Sequence, residues 1–186
     1  MSKEKTSKLI LKAALNLFSK KGYNSVTTKE IAKKAQVNEV TLFRHFNSKQ
    51  KLFEEVFEHY VFEPNITNRE ELYQKTPKNF LINIAKSLYE IFEYNSSLIK
   101  IELKNDETSI NNARLPLDKF SNELKKIIIE YLSKNQQINI DNPEIFAINF
   151  LSSVWGLFMN INIIKPFKPV PKFNNCIKKL VDDLLN

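Results

Sequence analysis

The chain has 186 residues and a mass of 21.8 kDa, the size of one compact domain or of a small module joined to a larger one. Hydrophobic residues make up 42% and charged residues 26%, which excludes disordered and fibrous architectures and leaves a globular chain able to bury a core. The formal charge of +7 is concentrated: residues 1–62 hold twelve Lys or Arg against six acids, whereas 63–186 hold sixteen against fifteen. A positive field at one end suits a module that meets a polyanion, with a solvated lysine-rich surface as the alternative.

Two glycines, Gly22 and Gly156, are too few and too far apart for a dinucleotide fingerprint or a phosphate loop. One cysteine, Cys176, makes neither an intramolecular disulfide nor a multi-thiolate metal site, and Lys12 interrupts the short apolar run near the N-terminus that a signal peptide would need. The expectation is a reduced, cytoplasmic protein. The most apolar stretch, Phe150 to Ile164, is broken by Ser152, Ser153, Asn160 and Asn162 and falls short of the roughly 20 residues of a membrane span, so no membrane contact is expected.

From Ser7 to Lys21, Ile10, Ala13, Ala14, Leu17 and Phe18 recur at helical spacing, and Gly22 follows as the left-handed residue after the last turn. Thr27-Thr28-Lys29-Glu30 reads as a capping box opening a brief second helix through Ile31, Ala32 and Ala35. After a turn at Gln36 and Val37, Asn38 caps a third short helix whose Val40, Leu42, Phe43 and Phe46 are apolar. Two short helices joined by a tight turn make a helix-turn-helix pattern. Ser48 caps a fourth helix, to about Phe62, with Leu52, Phe53, Val56, Phe57, Tyr60 and Val61 on one stripe.

Beyond Pro64, residues 65–75 lack periodicity and read as a connection or a frayed helix extension. Thr76-Pro77 starts a helix to about Tyr94, a short one runs from Ser97 to Lys104, and 105–112 is loop-like. Leu117 to Ser133 forms an amphipathic helix, residues 135–141 turn, and Asn142-Pro143-Glu144 opens a helix to about Ile164 that is apolar on nearly all sides. Pro166, Pro169 and Pro171 stiffen a connector before a last helix, Asn174 to Leu185. No strand pattern or internal repeat is evident, so the fold class is all-α, with about nine helices.

The stretch GYNSVTTKEIAKKAQVNEVTLFRHFNSKQKLF, Gly22 to Phe53, resembles the DNA-binding segment of TetR-family transcriptional regulators. The glycine after the first helix, the Thr-Thr start, Ile31-Ala32 with Ala35 and Val37, Thr41-Leu42, His45-Phe46 and Lys49 stand in register with that family, over residues 6–57. The resemblance implies a helix-turn-helix domain at 1–48, a linking helix at 49–62, and a helical effector-binding and dimerisation domain over 49–186.

It also implies that the helix from Asn38 to Phe46 enters the major groove, with the helix starts at Thr27, Thr28 and Lys49 against phosphate. Helix N-termini with hydroxyl and ammonium groups suit phosphate oxygens independently of any family. Base edges would be read from Asn38, Glu39, Val40, Thr41 and Arg44, with Arg44 suited to guanine, Asn38 to adenine, Glu39 to a cytosine amino group, and Val40 or Thr41 to a thymine methyl. Phe43 and His45 complete the DNA-facing set, although His45 also reads as a packed or capping residue. Three positions depart from the family pattern. Gln36 stands where glycine is usual, which makes the turn less sharp or places Gln36 in a left-handed conformation at small strain. Phe43 lacks the hydroxyl of the usual tyrosine, and Val40 is larger than the usual small residue.

For the remainder, the resemblance implies a homodimer reading a palindromic operator in double-stranded DNA, with a small apolar or aromatic effector that releases it. Ala147, Leu151, Val154, Ile177, Leu180, Val181 and Leu184 are the candidate dimer contacts. Phe80, Tyr89, Phe92, Phe120, Phe146, Phe150, Trp155 and Phe158 are the candidate lining of an apolar effector cavity, with ordinary core packing as their alternative. The function expected is a one-component regulator, most simply a repressor, with a helical adaptor or ligand-binding protein of weakened DNA binding as the alternative. No enzyme, cofactor or metal site is expected, because neither His45, His59 nor Cys176 has a partner pattern.

Overall fold

A computed structural model describes residues 3–62, 69–105, 115–135 and 140–185, and among these every regular element is helical. The helices are α1 (Lys3–Lys21), α2 (Thr28–Lys34), α3 (Glu39–Phe46), α4 (Lys49–Tyr60), α5 (Arg69–Tyr73), α6 (Pro77–Tyr94), α7 (Ser96–Glu102), α8 (Leu117–Lys134), α9 (Pro143–Phe158) and α10 (Phe173–Leu185). A π-helical segment, Met159–Ile164, continues α9. The expectation of about nine helices is exceeded by α5, which occupies part of the stretch read as a connection. The loop expected at 105–112 and the turn at 135–141 fall largely outside the described residues.

The chain divides into two compact units, one of residues 1–62 with 94–115, the other of 63–93 with 116–186. In the first, α1 packs against α2, α4 and α7. Its core is Ile10, Ala14, Phe18, Ile31, Leu42, Phe46, Leu52, Phe53 and Val56, none more than 1% exposed. Phe53 sits edge-on to Phe18 at 5.2 Å and to Tyr23 at 4.8 Å between ring centroids. These rings bind α4 to the end of α1, where Gly22 takes φ +80°.

The segment 94–105 returns to this unit and holds it by polar contacts. Lys104 Nζ donates to the Ser19 carbonyl at 2.8 Å and to the Lys20 carbonyl at 2.5 Å, capping the open end of α1. Asn105 Oδ1 accepts from the Tyr23 amide at 2.8 Å. Fully buried Asn95 accepts from the Phe62 amide and donates to its carbonyl, both at 3.0 Å, so it satisfies the backbone just beyond α4.

In the second unit α8 packs along α9, and α10 packs on α9. Phe80 stacks on Tyr131 at 3.7 Å and 6°, and the Tyr131 hydroxyl donates to the Lys75 carbonyl at 2.6 Å. Tyr89 stacks on Phe173 at 3.9 Å, and Asn162 Nδ2 donates to the Tyr89 hydroxyl at 2.7 Å. Asn160 and Asn162 also donate to the carbonyls of Gly156 and Phe158, four residues back. These side chains compete for the helical backbone acceptors, which accounts for the widened π turn there.

The apolar helix from Pro143 to Ile164 is 22 residues, long and apolar enough to cross a membrane by length and composition alone. The fifteen residues counted from Phe150 omitted its first two turns, which begin at the Asn142 cap. Its Ala147, Phe150, Val154 and Phe158 are fully buried in the unit's own protein core.

Candidate nucleic-acid interface and ligand cavity

The helix starts in the first unit are built by the residues that the local pattern designates. Thr27 Oγ1 accepts from the Glu30 amide at 3.2 Å while the Glu30 carboxylate accepts from the Thr27 amide at 3.0 Å, a complete capping box. Lys21, 2.8 Å from Glu30, together with the Thr27 amide, holds that carboxyl at about 2, below its ordinary 4.5. Asn38 Oδ1 accepts from the Thr41 amide at 2.7 Å and Ser48 Oγ from Lys51 at 3.0 Å. Gln36 takes φ +57°, so the turn keeps the left-handed geometry without glycine.

Capping and burial fix how α3 faces outward. Leu42 and Phe46 are 0% and 1% exposed and anchor the inner side, while Val40 is 76% and Phe43 42% exposed. Asn38 and Arg44 are exposed, and Thr41 and Glu39 half-buried. Val40, Phe43 and Arg44, three and four residues apart, therefore share an outward face. Glu39 is engaged: its carboxylate accepts from the Thr28 hydroxyl at 2.5 Å, joining the starts of α2 and α3. His45 is tied to α1, with Nδ1 2.7 Å from Ser7 Oγ. Burial first, then the charges of Arg44 and Lys3, lower its pKa. Lys49, in the first turn of α4, lies over the Tyr23 ring at 4.2 Å; partial burial lowers its pKa and Glu30 works against that shift.

In the second unit a cavity of about 390 Å³ opens between α6, α8 and α9. Leu88 and Phe92 come from α6, Leu117, Ser121, Asn122 and Lys125 from α8, and Ile148, Leu151, Ser152 and Trp155 from α9. Each set follows helical spacing, so three stripes converge. Of the eight aromatics expected to line a ligand site, Phe92 and Trp155 do so, edge-on to each other at 4.8 Å. The others are placed elsewhere: Phe80, Phe150 and Phe158 are fully buried and Phe120 is 6% exposed, Tyr89 is engaged by Phe173 and Asn162, and Phe146 lies 6.4 Å from Phe150. Large apolar side chains gain most by filling the core, which takes most of these rings away from the cavity and leaves Phe92 and Trp155 to share its wall with aliphatic and polar residues. Ser121, Asn122, Lys125 and Ser152 escaped sequence reasoning because a polar residue on an amphipathic helix reads as a solvated one.

The dimer contacts need the same correction. Ala147, Val154, Ile177 and Val181 are fully buried and Leu151 is 9% exposed within one chain, so they are core residues unavailable to a second copy. Leu180 and Leu184 are half-buried and retain an outward face.

Comparison with known proteins agrees with this architecture. The family model described as bacterial regulatory proteins, tetR family, matches residues 10–56. The HTH-type transcriptional regulator YvkB of Bacillus subtilis (strain 168), itself uncharacterised, is 31% identical over 161 residues, 83% of this chain and 82% of that protein. The solved structure of NalD, the secondary repressor of the MexAB-OprM multidrug efflux pump in Pseudomonas aeruginosa, is similar with a TM-score of 0.68 at 19% identity, covering 98% of this chain and 97% of that one. A transcriptional regulator from Aquifex aeolicus VF5 superposes with a TM-score of 0.61 at 23% identity, covering 96% and 99% of the two chains.

Proposed function

The chain belongs to the TetR family of bacterial regulatory proteins, and on that premise we propose that it is a cytoplasmic, one-component repressor that binds a palindromic operator as a homodimer and is released by a small effector. The observation that carries the reading is the outward face of α3, where Val40, Phe43 and Arg44 stand exposed on a helix locked by Leu42, Phe46 and the Asn38 cap. Arg44 and Val40 are the proposed base readers. The side chains of Asn38, Glu39 and His45 are already engaged within the protein, so they act chiefly by holding α3 in register, and Glu39 reaches a base only by leaving Thr28; Thr41 contributes its backbone amide to the Asn38 cap and keeps its side chain as a further base-contact candidate. Lys49 and the α4 N-terminus form the phosphate-contacting edge, which the Thr28 hydroxyl joins when it exchanges Glu39 for a phosphate oxygen.

The homodimer is supported by α9 and α10. Ile145 and Ile148 of α9 are 56% and 46% exposed, Ile164 at the end of its π-helical continuation is 63% exposed, and Leu180 and Leu184 of α10 are half-buried, so both helices keep apolar side chains that a second copy could cover. Two copies of a module with few base readers double the contacts on symmetric half-sites about 34–36 Å or a multiple apart. The effector is assigned to the 390 Å³ cavity, and it acts by binding the DNA-incompetent arrangement more tightly. Repression is stated of NalD and comes to this chain as part of the proposal.

Selection of bound duplexes from a randomised pool at near-physiological salt tests the reading. Enrichment of a two-fold symmetric site is expected; sequence-blind, salt-labile binding would replace the repressor with an adaptor or ligand-binding protein of the same fold.

A further inference from the structure

The cavity in the second unit is asymmetric in its chemistry, and the asymmetry specifies a ligand. Leu88 and Phe92 of α6 form an apolar wall, with Trp155 edge-on to Phe92. The α8 side carries Ser121 and, one turn on, Lys125, the charged member of the described lining. Lys125 is the more sheltered half of an ion pair: its side chain is 27% exposed, while Glu144, 3.2 Å away in the first turn of α9, is 62% exposed.

An exposed carboxylate gains little from such a pair, because water and salt screen it and a long side chain must be immobilised. A ligand carboxylate attached to an apolar body meets neither limit. Its body is drawn to the Phe92 and Trp155 wall, which holds its anionic end at a high local concentration beside the Lys125 ammonium. Ser121 and Ser152 add hydroxyl donors along the same wall.

We propose that the effector is an amphipathic monoanion, an aliphatic or aromatic body ending in a carboxylate, with the carboxylate taking Lys125 from Glu144. This rests on the assignment of the cavity as the effector site. The proposal excludes a cationic ligand, for which the described lining offers no carboxylate, and gives a neutral apolar ligand second rank.

Trp155 is the chain's one tryptophan, so its emission reports on the cavity alone. Octanoate, octanol and octylamine share one body and differ in the head, and their titration against the full-length protein separates body from charge. Octanoate is expected to bind about tenfold or more tighter than octanol, the fold-change of a charge-assisted hydrogen bond. Lys125→Gln should bring the two within about twofold by removing the charged partner, while Glu144→Gln should tighten octanoate and leave octanol unchanged. Equal affinities, a preference for octylamine, no change in Trp155 emission, or a Lys125→Gln protein that keeps the preference would overturn the proposal. Operator binding on the same samples tells the failures apart. An octanoate preference without operator binding removes the repressor and keeps the ligand class; operator release by octanol in preference to octanoate removes the ligand class alone.

Discussion

The region from Thr27 to Lys49 and the cavity of the second unit are both candidate binding sites, yet they arise from different scales of structure. In the first, the helix starts are set locally: Thr27 with Glu30, Asn38 with Thr41 and Ser48 with Lys51 close within three residues. The orientation of α3 follows from those caps and from Leu42 and Phe46 on its inner side. In the second, ten side chains from three helices, spread from Leu88 to Trp155, meet in space, and nothing local distinguishes Phe92, which lines the cavity, from Phe80, which is core. A short-range constellation is written in spacing, whereas a cavity is what remains after long-range packing has chosen its members.

Substitutions can break or sharpen this contrast. Phe80→Ala is expected to have the largest effect, a loss of about 3–5 kcal/mol in urea unfolding, because it removes a fully buried ring stacked on Tyr131. Unchanged stability together with a selective loss of ligand response would return Phe80 to the cavity wall. Asn95→Ala should destabilise the protein by about 1–3 kcal/mol, since the amide and carbonyl of Phe62 both lose their partner. A change confined to a few tenths would show that water replaces the clasp.

Arg44→Ala tests the outward face of α3. It should leave unfolding unchanged and reduce discrimination at one base position per half-site by about 1–3 kcal/mol, read from competition binding on single-substituted operators. An unaltered base preference removes Arg44 from direct readout. At Gln36, φ +57° favours glycine, so Gln36→Gly should stabilise the protein by about 0.5 kcal/mol, the relief of left-handed strain less the added entropy of the unfolded chain. A lower unfolding midpoint would mean that the Gln36 side chain contributes more than its backbone strain removes.

The smallest expected effect is a pH dependence. Glu30 is held at about 2, below the ordinary 4.5, so its native contribution is complete above pH 4.5 and disappears as pH falls to about 2. Glu30→Gln should therefore flatten that acid limb slightly in urea midpoints measured against pH. A limb identical in the two proteins would assign the acid sensitivity to other carboxylates.

Several tertiary features left no readable trace in the sequence. Lys104 reads as the end of a short helix and Asn105 as the start of a loop, yet they close the end of α1 from more than eighty residues away. Asn95 gave no sign that it satisfies Phe62, because an isolated polar residue between two helices is an ordinary linker until a distant backbone meets it. The π turn after Phe158 carries Asn160 and Asn162 bonding back to their own helix, with Asn162 also bonded to Tyr89 more than seventy residues away. Ala147, Leu151, Val154, Ile177 and Val181 were equally suited by spacing to an internal core or to a partner's surface, and packing within one chain took them.

What the sequence determined by itself was the helical character, the caps, the helix end at Gly22, the family, and the concentration of positive charge in the first 62 residues, while the left-handed turn at Gln36 was one of two conformations it allowed. These depend on interactions spanning one to four residues or on composition, where the chemistry of neighbours is sufficient. Only the tertiary structure decided which aromatics became core, which polar residues reached a cavity, and how 94–105 fastens the first unit. Those outcomes depend on the closest packing of helices far apart in the chain, where side chains of similar hydrophobicity compete for the same space and only their shape in three dimensions separates them.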